Sequence, residues 1–100
     1  MMALDALLQQ LGRLTVRIAE LETAIEVRDT ACVIETMLTV TAEWYLLRAD
    51  LCLLQAATPT GCEVVTMPPA MRTVRREVRT VIRWSLAYVA QVASEEERDQ

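Results

Sequence analysis

The sequence predicts an all-α fold: a three-helix antiparallel bundle that packs into a larger helical bundle as a homodimer. Three observations carry that expectation. Apolar residues recur at alternating spacings of three and four along three segments, the mark of one buried helical stripe in each. Only two glycines and three prolines interrupt 100 residues, and four of these five lie between positions 59 and 69, so the breaks concentrate at one join. The middle segment is apolar on more than one side, which a lone three-helix bundle cannot enclose.

In the first segment Leu4, Leu7, Leu11, Leu14, Ile18, Leu21 and Ile25 form an unbroken heptad seam. A helix over about 3–27 follows. Gly12 is its only poor helix former, on the polar side, at a cost of about 1 kcal/mol relative to Ala. The register fails at Arg28, which would fall on the seam, and Asp29 or Thr30 can cap a new helix through its side-chain oxygen. A break is therefore expected here; the alternative, since neither Gly nor Pro marks the join, is one long bent helix.

The second helix is expected over 30–57, on the seam Val33, Met37, Val40, Trp44, Leu47, Leu51 and Leu54. A second apolar strip of Leu38, Tyr45, Leu46, Cys52 and Leu53 accompanies it, and Glu35, Glu43, Arg48 and Asp50 are its only charges. Left wet, each large side chain of that strip forgoes up to about 1.5–3 kcal/mol of burial. A second copy or another protein would cover it.

A loop follows over 58–68. Thr58-Pro59-Thr60-Gly61 is turn chemistry, Val64 and Val65 can tuck onto the bundle, and Pro68 and Pro69 suit a first helical turn with Thr66 as its cap. The third helix, about 69–94, carries Met71, Val74, Val78, Val81, Ser85, Tyr88 and Val92 on its seam. Its end, SEEERDQ, sets acids against the helix dipole, so residues 95–100 are expected to fray. All 100 residues are read as one helical domain, since a chain this short has room for one core.

Composition narrows the chemistry. The chain has no Phe, His, Lys or Asn. Without His it lacks the usual neutral-pH proton shuttle and the commonest metal ligand, and without Lys it lacks Schiff-base chemistry and a Walker-type phosphate loop. Lys, Asn and Phe have AT-rich codons, so their absence points to GC-rich coding DNA. Cys32, Cys52 and Cys62 show no C-x-x-C spacing and are expected to be buried or inert thiols of a reducing compartment. Serine and cysteine lack a neighbouring base, so the expectation is a non-enzymatic protein with no catalytic residue, cofactor or metal. The chain opens without the basic start of a secretory signal and has no apolar run of roughly 20 residues. A cytoplasmic protein without a membrane partner is expected.

Arg72, Arg75, Arg76, Arg79 and Arg83 form a stripe on the third helix, with Glu77 the only acid among them. The pairs 72/76, 75/79 and 79/83 repel by about 0.2–0.5 kcal/mol each. The stripe also occupies the N-terminal half of its helix, where the dipole prefers acids. Two local rules broken together mark a candidate binding surface.

The aromatic residues Trp44, Tyr45, Trp84 and Tyr88 are expected to be core filler. The favoured function is a protein–protein interaction module, a small antiactivator-like regulator or inhibitor or a chaperone-like adaptor, that sequesters a protein partner. Leu38, Tyr45, Leu46 and Leu53 would give the apolar contact and the five arginines a charged rim. The alternative is a dimeric nucleic-acid or nucleotide binder using the same arginines. It is weakened by a net charge of -4, because such affinity rests on neutralising phosphates.

Overall fold

In the computed structural model, residues 2–57 and 67–99 are described, with side chains from Asp5 onward. The elements are α1 (Met2–Glu26), α2 (Thr30–Ala57) and α3 (Pro69–Arg98), with no strand among the described residues. The described residues therefore form an all-helical bundle. The expected turn chemistry at 58–61, the tucked Val64 and Val65, the Thr66 cap and Cys62 lie outside the described residues.

The α1–α2 join is made by three residues. Arg28 adopts φ 58°, the left-handed region that usually takes glycine. The Asp29 amide donates to the Ala24 carbonyl and the Arg28 amide to that of Ile25, both at 3.1 Å. That pattern is a Schellman motif, which satisfies the carbonyls orphaned at a helix C-terminus. Asp29 then caps α2, its carboxylate accepting from the Cys32 amide at 3.1 Å. The break comes from capping and one strained arginine.

Arg28 has compensation for that strain. Its guanidinium lies 5.4 Å from the centre of the Tyr88 ring and 3.3 Å from the Glu95 carboxylate. The Tyr88 hydroxyl shares a 2.8 Å hydrogen bond with Thr30. These contacts tie the turn to the C-terminal half of α3. They also bear on the acidic end: α3 continues to Arg98, beyond the expected boundary at Ser94, and Glu95–Glu97 are helical where fraying is expected. An unfavourable dipole contact costs only about 0.3–1 kcal/mol, and the Glu95–Arg28 pair and Arg98 in the last turn oppose it.

The core follows the three seams. Leu7, Leu11, Leu14, Ile18 and Leu21 from α1 meet Val33, Val40, Trp44, Leu47 and Leu51 from α2 and Met71, Val74, Val78, Val81 and Tyr88 from α3. Ala24 completes the α1 stripe, while Ile25, Met37, Leu54 and Val92 pack at its margin. Ser85 is fully buried among them, and its hydroxyl donates to the Val81 carbonyl at 2.7 Å, so no polar atom is stranded. On the outside Arg17 links α1 to α2, 3.2 Å from Glu20 and 3.6 Å from Glu43. Its guanidinium is held above its usual range, first by the hydrogen bond to Glu20 and then by the charges of Glu20 and Glu43.

The bundle is long and thin, 64 × 19 × 17 Å. Its accessible surface is 7124 Å², against roughly 5,700 Å² for a compact monomer of this mass. A thin rod has little interior to hide apolar residues. Whatever the three seams do not take stays outside.

Candidate interaction surface

Among the described residues, half of the exposed large apolar side chains lie on α2. Leu38, Tyr45, Leu46 and Leu53 are 62%, 62%, 65% and 68% exposed, although Val33, Val40, Trp44, Leu47 and Leu51 on the opposite side of the same helix are buried. Adjacent helical residues are rotated by about 100°, so Tyr45 and Leu46 leave α2 on different flanks. Tyr45 faces α3. Leu46 lines a shallow hollow on the α1 side with Gln10 and Arg13, and Leu53 lines another with Ala6 and Gln10. Leu38 lines neither hollow. The single apolar patch expected from sequence is a ridge with two flanks.

The α3 flank is a groove of about 550 Å³. Thr41, Trp44, Tyr45 and Arg48 line it from α2, and Arg75, Val78, Arg79, Ile82, Arg83 and Leu86 from α3. It joins Tyr45 to three of the five stripe arginines, while Arg72 and Arg76 lie outside it. Among the described residues the ion pairs involve Arg17 and Arg28, and none involves the stripe or Arg48. The local repulsion along α3 is therefore not relieved within the described chain.

Sequence reasoning missed Arg48 and Leu86. Arg48 lies three residues after Tyr45, one turn along the same flank, and Leu86 three residues after Arg83. Helical spacing puts Arg48 near Tyr45 and Leu86 near Arg83, but does not bring the two flanks together. Two of the aromatic expectations also need correcting: Trp44 and Tyr88 are buried, but Tyr45 and Trp84 are exposed. A seam buries one stripe per helix, and these two residues lie off it. Of the described thiols, both free, Cys32 is half-buried against the core and Cys52 is exposed, so burial does not hold for Cys52.

Chemically, the groove offers guanidinium donors for carboxylate or phosphate, a phenol ring at its rim and an aliphatic lining. No cluster of three acidic or thiol side chains suited to a metal ion occurs among the described residues. No described helix is long and apolar enough to cross a membrane. No protein-family model matches the chain, and no curated protein or solved structure matches it significantly.

Proposed function

We propose that the protein is a non-enzymatic interaction module, a small regulator, inhibitor or chaperone-like adaptor that sequesters a protein partner through the outer face of α2. One observation carries the reading: four large apolar side chains stand exposed along a helix whose other face is already buried. Large apolar side chains exposed in number along one helix mark an interface. Arginines along one flank add a charged rim, which sets orientation and partner choice.

The bundle order is up-down-up, so that neighbouring helices in sequence are antiparallel. The Arg17–Glu43 pair and the Arg28–Glu95 pair support it. Without the partner, a homodimer covers the α1 side of the ridge, where Leu46 and Leu53 lie, and the partner takes the place of the second copy. The exposure of Leu46 and Leu53 supports self-association, since a second copy would cover both. The protein acts in the cytoplasm.

A second reading, a nucleic-acid or nucleotide binder, is favoured by the arginines gathered in the groove beside Tyr45. Two sets of variants separate the readings. Leu46→Glu and Leu53→Glu should abolish recovery of a protein partner from nuclease-treated host lysate by the tagged chain, with helicity unchanged. They should also reduce the solution mass from two chains to one by light scattering. Replacing Arg75, Arg76 and Arg79 together by Gln should abolish nucleic-acid binding under the second reading. Partner recovery unaffected by either Glu variant would sink the first.

A further inference from the structure

We infer that the groove between α2 and α3 receives an acidic amphipathic helix from another protein, which lies along it as a fourth helix of the bundle. The inference rests on the protein-partner reading above and names the partner's chemistry.

The groove has two properties that one occupant must satisfy together. Its aliphatic lining runs from buried Val78 through half-buried Ile82 to exposed Leu86, and Arg48, Arg75, Arg79 and Arg83 line it beside them. Helices pack by laying side-chain ridges into such grooves at interaxial distances of about 8–10 Å. An aliphatic stripe on the docked helix would cover that lining and the exposed Tyr45 ring. Acids on its flank would meet the guanidinium groups.

Spacing adds to the fit. Arg75, Arg79 and Arg83 recur every fourth residue, about 6 Å apart along α3. Carboxylates at i, i+4 and i+8 on a second helix recur at the same interval. Each such contact is a charge-assisted hydrogen bond, and each carboxylate also relieves repulsion between successive arginines. Arginine's long stem lets its head reach over a docked helix while its methylenes cover apolar surface.

A second copy is a poorer occupant. Two copies placed mouth to mouth about a twofold axis set one basic groove against another. The chain's own run of acids, Glu95–Glu97, contains no apolar residue to cover the aliphatic lining. A phosphate backbone would use the arginines and leave the aliphatic lining wet, and it would approach a chain of net charge -4.

Two designed peptides of about 20 residues test the proposal against the full chain by fluorescence anisotropy. Both carry the same Leu/Ala stripe; one is flanked by Glu and the other by Lys. The Glu peptide should bind saturably, at least about tenfold more tightly than the Lys peptide, and weaken as salt rises. The R75Q/R79Q variant, its helicity checked by circular dichroism, should lose about tenfold to a hundredfold in affinity for the Glu peptide.

Equal binding of both peptides, binding of neither, or an unchanged affinity in R75Q/R79Q overturns the inference. So does a single-stranded DNA probe that binds more tightly than the Glu peptide and depends on the same arginines. Failure here, with partner recovery still lost in Leu53→Glu, leaves the interaction module standing without this occupant. If the Glu variants leave recovery intact, the interaction module itself has failed.

Discussion

The two faces of α2 have similar side chains and opposite fates. Val40, Leu47 and Leu51 are buried between α1 and α3, while Leu38, Leu46 and Leu53 are exposed on the same 28-residue helix. Hydrophobicity therefore does not distinguish the faces. What does is the number of neighbours a three-helix rod can supply: two helices cover one side of a third. The inner face gives the fold its stability, and the outer face is surface without an assigned cover.

The sharpest way to break this comparison is to place a charge on each face. Leu51→Glu buries an unpaired carboxylate and should destabilise by more than about 4 kcal/mol, seen as loss of the cooperative thermal transition. Leu53→Glu, two residues away, should shift stability of the monomer by no more than about 0.5 kcal/mol. If both variants unfold the chain, the outer face is part of the folding core and the distinction fails.

Truncation gives the same test at lower amplitude. Leu47→Ala should cost about 2–5 kcal/mol in urea titration, and its neighbour Leu46→Ala under about 0.5 kcal/mol at concentrations where the protein is monomeric. Asp29→Ala probes the join instead. It removes the α2 cap and should cost about 1 kcal/mol.

Gly12 sharpens the idea that outward positions answer only to local propensity. A Cβ added there meets nothing within 4 Å. Gly12→Ala should therefore stabilise by about 0.5–1 kcal/mol, read as a higher melting temperature. The smallest effect is expected at Ser85, a polar residue in the core. Its hydroxyl bonds only the Val81 carbonyl of its own helix, so Ser85→Ala should change stability by less than about 0.5 kcal/mol, again by urea titration. A loss of 2 kcal/mol or more would mean that the hydroxyl has a further role.

Much of the fold was legible because heptad spacing is a local rule. Met71, Val74, Val78, Val81, Ser85 and Tyr88 were read as one stripe, and all are buried. The exposure of Leu38, Leu46 and Leu53 was legible too, since a second strip on one helix exceeds what two neighbours cover, while Tyr45 was read both as part of that strip and as core filler. The site was less so. Tyr45 and Leu46 are adjacent in sequence, and no spacing rule says which of them faces α3.

By itself the sequence determined three helices, their buried stripes, the arginine stripe and an apolar excess on the central segment. All of these follow from periodicity and composition, which act within one helix. Tertiary structure decided that Arg28 turns the chain in a left-handed conformation, held by Tyr88 and Glu95 far along the sequence. It also decided that Arg48, Arg75, Arg79 and Arg83 share a groove with Tyr45 and Leu86. Both depend on how α3 is rotated and placed beside α1 and α2, and that is fixed by packing the three stripes together at once.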